Sequence, residues 1–327
     1  MDEGRNIKSN IQVALVSGAT GFIGSYLTRQ LCLQGYNVIV YARNSYPTEL
    51  RSQASSIKWI VGDLNDLRAL SAACEGVDVV FHLAGLAHSN NVNRHEIFKV
   101  NLQGTKNLYS ACSSAGVKKF IYFSSILASE PNRSVYAESK RAAEQYLLLS
   151  RTQHYEPQVV ILRPANVYGP EMRGNLRRFI LLARKGLLPA LPRLTNPLAL
   201  VSVRDLCVAS IMAAEAEFPL DSNIYTVTDG ERYTPNRIED AVYEGIGIKR
   251  PSWRVPKLLL LIGAIFATVL NVTRIRSNQL GLRLYRNLVN SKTAGCEESI
   301  PPFRFKPTAT LESEMETIIN SLKADKP

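Results

Sequence analysis

Tyr136 and Lys140 stand four residues apart in Tyr136-Ala-Glu-Ser-Lys140, so on a helix they share one face. A phenol beside an ammonium is a proton-handling pair. A lone tyrosine titrates near ~10 and is a poor base at neutral pH, whereas a neighbouring positive charge favours its phenolate. Upstream, Gly18-Ala-Thr-Gly21-Phe22-Ile23-Gly24 follows a short apolar run and opens a helical pattern. There the glycines divide the work: Gly18 permits a tight turn, Gly21 admits a pyrophosphate to the backbone, and Gly24 lets helix and strand pack closely. The helix N-terminus favours the phosphate charge. A dinucleotide turn and a Tyr–Lys pair in one chain predict hydride exchange at an alcohol or carbonyl carbon, with Tyr136 moving the proton.

The elements that must position these groups alternate through the first half. Strands are predicted at 13–16, 36–41, 58–61, 77–83, 120–124 and 159–162, with helices over 22–33, 67–74, 97–115 and 137–150. Such alternation implies an α/β protein with a Rossmann-like, doubly wound parallel sheet, whose ligands sit at the C-terminal strand ends. After Gly169-Pro170 the pattern loosens, with a further strand at 198–203 and a helix at 205–215. The expected division is a dinucleotide-binding domain over 11–165, to which 199–228 returns. A smaller, mostly C-terminal substrate lobe takes 166–198 and 229–325.

The 327 residues suffice for that plan, and a content of 46% hydrophobic and 20% charged residues is ordinary for a globular chain. The formal net charge of +11 suits anionic partners, but no nucleic-acid motif accompanies it. Residues 1–10 are polar, without the apolar core of a secretory signal, and a cytoplasmic protein is expected. The five cysteines are dispersed and read as reduced thiols. His82, His88 and His95 suit no metal site and fall on a strand end, a loop and a helix, so no metal is expected. The uncharged run 258–272 is short for a membrane span. The first expectation is a buried helix of the smaller lobe; the alternative is a helix lying on a membrane surface, helped by Arg274, Arg276 and Arg283.

The GxxGxxG spacing resembles the short-chain dehydrogenase/reductase superfamily, and further segments resemble its extended branch, the NAD-dependent epimerase/dehydratase enzymes. They are Asp63-Leu64, His82-Leu-Ala-Gly85, Asn101-Leu-Gln-Gly-Thr105, Phe123-Ser-Ser125, Tyr136xxxLys140, Leu162-Arg-Pro-Ala-Asn166-Val-Tyr-Gly-Pro170 and the C-terminal Phe305-Lys-Pro…Thr310-Leu-Glu312. The resemblance implies a catalytic Ser125, Tyr136 and Lys140, with Ser124 a structural neighbour. It implies that Gly18, Gly21, Phe22, Ile23 and Gly24 hold the cofactor, that Asp63 and Leu64 flank the adenine, and that Leu83, Ala84 and Gly85 line its middle. Pro164 then lies near the nicotinamide, Lys140 reaches the ribose, and Asn101 serves either the cofactor or the turn of its helix. Dimerisation through the helices at 97–115 and 137–150 is implied by the same analogy.

The second strand ends Val40-Tyr41-Ala42-Arg43-Asn44, without the acid that an NAD enzyme usually places there. Arg43 suits the 2′-phosphate of NADP, so NADP(H) is favoured and NAD(H) is the alternative. The substrate implied is a nucleotide-diphosphate sugar, with Ser125, Asn166, Asn175 and Leu176 at positions that hold it. Two features depart from the family pattern. An arginine that usually grips the diphosphate, seven residues before Asp205, falls on Leu198, and only ten residues separate Ser125 from Tyr136. The trimmed loop suggests an open site, suited to a bulky or lipid-linked sugar diphosphate at the membrane. The leading expectation is an NADPH-dependent 4-ketoreductase of a nucleotide-4-keto-hexose in surface polysaccharide biosynthesis. An NAD-dependent 4-epimerase is the rival. A steroid- or flavonoid-type alcohol dehydrogenase and a non-catalytic NADP-binding protein are further alternatives.

Overall fold

A computed structural model of the chain describes residues 12–44, 57–87, 93–150, 156–216, 224–273 and 305–324. The expectations resting on residues 1–10, His88 and the arginines from 274 to 286 lie outside these residues. Seven parallel strands form the main sheet: β1 (Val13–Ser17), β2 (Asn37–Ala42), β3 (Ile57–Val61), β4 (Val79–His82), β5 (Lys119–Phe123), β6 (Gln158–Pro164) and β9 (Ile224–Val227). Their order is 3-2-1-4-5-6-9, so the winding reverses between β1 and β4. A ligand crevice belongs at that reversal, beyond the C-terminal strand ends.

Each strand divides its side chains between the two faces of the sheet. From β1, Ala14 and Val16 enter one core with Leu27 and Leu31 of helix α1 (Phe22–Leu33). Leu15 enters the other, with Leu70 of α2 (Leu67–Cys74). These strands are buried on both faces, which is why they read as unbroken apolar runs.

The long helix expected at 97–115 is three pieces in line: α3 (Arg94–Phe98), a π turn at Lys99–Gln103, and α4 (Gly104–Ser114). It starts earlier than expected because Asn93 caps it, accepting from the Glu96 N–H at 2.8 Å. The expected strand at 77–83 is shorter, since Val77 is still in the turn that follows α2 and bonds the Cys74 carbonyl. Helix α5 (Val135–Leu149), which carries Tyr136 and Lys140, is capped by Ser134, whose hydroxyl accepts from the Ala137 N–H at 3.1 Å.

The remaining elements build beside the C-terminal strand ends. Two short strands, β7 (Asn166–Tyr168) and β8 (Leu200–Ser202), pair in parallel. Helix α6 (Asn175–Arg184) follows Gly174, and α7 (Val203–Glu215) packs back on α1. Helix α8 (Pro235–Ile246) has Thr234 as its cap and Gly247, at φ +76°, as its stop. Helices α9 (Lys257–Thr273) and α10 (Leu311–Ala324) complete the described chain. A third core joins Ile180 of α6, Val242 of α8 and Met315 of α10, with Phe22 touching both this core and the sheet's.

Helix α9 corrects the expectation of a buried helix. Leu258, Leu259, Ile262 and Ile265 are each 44–66% exposed, while Leu260, Leu261 and Ala264 on the opposite side are half-buried. No described helix is long and apolar enough to cross a membrane.

Candidate active site

Gly18, at φ +80°, brings the end of β1 against the loop after β4. A Cβ there would lie 2.6 Å from the Ala84 amide nitrogen. At Gly24 a Cβ would lie 2.2 Å from the Gly18 carbonyl oxygen. Both positions therefore require glycine. Gly21 is the N-cap of α1, with no side-chain cap and no acid in the first turn. Helices α2, α3, α5, α7 and α8 all have side-chain caps. The amides at the start of α1 thus face the crevice without a side-chain acceptor, which fits the pyrophosphate of a dinucleotide. Phe22 and Ile23 in the first turn are half-buried and pack on the sheet core.

His82 fixes the crevice from behind. It is fully buried, with Nδ1 2.6 Å from Ser17 Oγ and Nε2 2.9 Å from Thr105 Oγ1. The Thr105 hydroxyl donates its one proton to the Asn101 carbonyl, so Nε2 is the donating nitrogen and Nδ1 accepts from Ser17. Burial holds the imidazole neutral, with a pKa pushed down to about 3. This chain of bonds ties the ends of β1 and β4 to α4.

Asn101, in the π turn, is 1% exposed. Its Oδ1 accepts from the Leu86 N–H at 2.7 Å, and its Nδ2 donates to the Leu86 carbonyl and to Ser139 Oγ. These bonds join the Leu83–Leu86 loop to α5. π turns often mark functional positions.

Lys140 is 4% exposed and donates to the Phe123 carbonyl at 2.7 Å, with its Nζ 4.7 Å from the centre of the Tyr122 ring. A Cβ at Gly85 would come within 3.5 Å of that Nζ, so the loop after β4 and the catalytic helix meet here. Desolvation pushes the Lys140 pKa down to about 8, against the charge of Glu144. Tyr136 is half-buried and hydrogen-bonded to Ser125. Desolvation of its phenol pushes the pKa up to about 12, with the Ser125 bond pulling the other way. Burial thus outweighs the Ser125 bond at this phenol, while the expectation that Lys140 and the nicotinamide charge together favour the phenolate concerns the dinucleotide-bound enzyme.

The neighbouring Ser124 is turned inward, donating to Glu144 at 2.5 Å. Arg163 closes a two-bond pair on the same carboxylate at 2.8 and 2.6 Å. Nothing in the sequence pattern singled out Glu144 or Arg163, because their partnership spans 19 residues and two elements.

Just after β3, Asp63 is exposed and accepts from the Asn65 backbone and side chain. These bonds hold its carboxyl below the usual range, and the positive charge of Arg43 adds to that effect. Arg43 itself is exposed at the end of β2. Leu64 is buried beneath Gly104, where a Cβ would meet its Cδ1 at 2.7 Å, so only its backbone is left for a ligand. Pro164 is buried at the end of β6.

On the substrate side, Asn166 is exposed on β7, with its Nδ2 donating to the Ala199 carbonyl at 3.3 Å. Asn175 opens α6, and Leu176 packs on the third core. Leu198 pairs with Tyr233 through two backbone bonds and packs on that same core. Among the described residues no cluster of His, Cys, Asp and Glu has metal-holding geometry.

A doubly wound sheet with this cradle at its reversal is the frame of a dinucleotide-dependent enzyme. Residues 14–227 match the model of the NAD-dependent epimerase/dehydratase family, and the chain belongs to that family. Ceramide reductase of Caulobacter vibrioides is 30% identical over 296 residues, covering 88% of this chain and 89% of its own length. UDP-glucose 4-epimerase of Vibrio cholerae is 28% identical over 264 residues, covering 74% and 77% respectively. Among solved structures, MoeE5 in complex with UDP-glucuronic acid and NAD matches with a TM-score of 0.70 at 23% identity, over 96% of this chain and 99% of that one. At that identity the likeness speaks for the fold alone.

Proposed function

We propose that this chain is an NADP(H)-using ketoreductase acting at C4 of a nucleotide-diphosphate 4-keto-hexose. The observation that carries the reading is the end of β2, where Arg43 is exposed with no acid beside it in sequence, together with Tyr136 hydrogen-bonded to Ser125 on the helix that also holds Lys140. Carbonyl reduction needs a proton donor, whereas an epimerase must begin with proton removal. Ser125 orients the carbonyl oxygen and Tyr136 donates its proton to it. The Lys140 ammonium, fixed by the Phe123 carbonyl, stabilises the phenolate left behind. Gly18, Gly21 and Gly24 with the Leu83–Gly85 loop hold the dinucleotide, and Arg43 beside Asp63 takes the 2′-phosphate. When bound, the dinucleotide supplies hydride exchange at its nicotinamide ring.

A second reading, a ketone on a lipid-like substrate, is favoured by Leu198. An apolar side chain stands where a diphosphate-gripping arginine is expected, and a relative over most of the chain is named for ceramide. Turnover of purified protein with NADPH or NADH, offered UDP-4-keto-hexoses, UDP-hexoses and long-chain keto lipids in parallel, separates the readings. Cofactor-neutral interconversion of UDP-hexoses would replace the reductase by an epimerase. Tyr136→Phe should cost ~10²–10⁴ in turnover while leaving dinucleotide binding intact; full activity in that variant refutes the proton-donor role.

A further inference from the structure

Helix α9 carries the most unusual surface of the described residues. Leu258, Ile262 and Ile265 recur at the i, i+4, i+7 spacing of one helix face, with Leu259 beside them and the exposed ring of Trp253 just before the helix. None of the described elements packs extensively along it. Contiguous exposed apolar side chains of this size mark an interaction surface.

The charge of the chain flanking this surface in sequence points to what covers it. Between Glu244 and Glu297 there is no aspartate or glutamate, while nine lysines and arginines occur, of which Arg250 and Arg254 pair with Asp240 and Glu239. The chain's net charge is +11, so most of its excess positive charge is concentrated in the stretch that holds α9. Two of the bases, Lys249 and Lys257, are exposed near the start of the helix. An apolar stripe in a basic, acid-free stretch complements an anionic lipid surface, where acyl chains take the leucines and headgroups take the lysines. The helix has 17 residues, about 26 Å at 1.5 Å per residue, which is short of a roughly 30 Å hydrocarbon core. It is suited to lie in the interface rather than to span it.

We infer that α9 and Trp253 dock the protein on an anionic bilayer, as a peripheral contact on the substrate side of the molecule. The inference is independent of which ketone Tyr136 reduces, because docking is read without substrate or cofactor.

The test is co-sedimentation of the full chain with vesicles of phosphatidylglycerol and phosphatidylethanolamine, and with vesicles of phosphatidylcholine alone. Trp59→Phe leaves Trp253 as the only tryptophan, so its emission reports burial in lipid. The expected result is binding to the anionic vesicles with a blue shift of Trp253, weak binding to phosphatidylcholine, and partial loss at high salt. The pair Leu258→Asp with Ile262→Asp should weaken partition at least about tenfold, with dinucleotide binding showing that the fold survives. Should that pair fail to fold, Trp253→Ala, placed outside the helix, should weaken partition in the same direction. Absence of binding, equal binding to both vesicle types, or undiminished binding by a folded variant overturns the inference. So does wild-type protein that ignores vesicles while residues 258–265 are protected from amide exchange, for then a second copy or the chain's own 274–304 covers the stripe.

Discussion

The crevice at the sheet reversal and the layer built on its C-terminal side are stabilised in opposite ways. In the crevice, backbone touches backbone. Gly18 lies against Ala84, Gly24 against Gly18, and the polar side chains Ser17, His82, Thr105 and Asn101 bond one another or nearby main chain. In the second layer, buried carboxylates hold distant loops. Asp205 accepts from Thr308 N–H and Oγ1 and from the Ala309 N–H, 103 and 104 residues away. Asp229 accepts from Tyr168 and Tyr233, and Glu239 accepts from the Leu191 N–H. The first arrangement leaves no room for an added atom at Gly18 or Gly24; the second depends on each carboxylate keeping its partners.

That contrast is broken most severely by Gly24→Val. Its Cβ would begin 2.2 Å from the Gly18 oxygen. Dinucleotide affinity should fall about a hundredfold or more, with stability down by about 1–3 kcal/mol, read by fluorescence titration and thermal unfolding. Unchanged affinity would mean that the cradle is not the binding site.

A milder probe is pH. Lys140 titrates at about 8 in the folded protein and near ~10.4 unfolded, while Tyr136 keeps its proton up to about 12. Ketone reduction should therefore be flat through neutral pH and fall about tenfold per unit above pH 8, as the ammonium that supports Tyr136 is lost. The stability term has the opposite sign. Between pH 8 and about 10 the unfolded chain binds the extra proton, so this lysine's contribution to folding rises with pH while activity falls. Rate and thermal stability that fell together across that window would reject the assignment.

Asp205→Asn gives the smallest expected effect on the crevice. It weakens the grip on Thr308 and Ala309 and should lower stability by about 1.5–3 kcal/mol, with dinucleotide affinity unchanged. A matching loss of dinucleotide affinity would show that the two layers are one cooperative unit.

The same contrast explains what the sequence revealed. The helices at 22–33 and 67–74 fall where the pattern placed them, since apolar spacing is local, as is the Asp66 cap of the second. The glycine cradle was legible because only glycine satisfies its geometry, whatever the rest of the chain does. Ser125 was separable from Ser124 only by position within a motif, and the structure gives the two hydroxyls different partners, Tyr136 and Glu144. The burial of Tyr136 was not legible, because desolvation depends on neighbours from several elements. Strands β7 and β9 were missed for a related reason: at three and four residues they carry too little periodicity, and their pairing partners are distant in sequence. The exposed stripe on α9 was misread as core because an apolar run looks the same whether or not another element covers it.

The grip of Asp205 on Thr308 and Ala309, with Tyr233 accepting from the Leu311 N–H, also sets an order of events during synthesis. The cradle and the helix that carries Tyr136 lie within the first 150 residues, and strands β6 and β9 complete their sheet by residue 227. The second layer must wait for residues 308–311. Between residue 227 and those residues a nascent chain has its sheet assembled and an apolar flank still open, the interval in which a chaperone or a membrane surface has the most to shield.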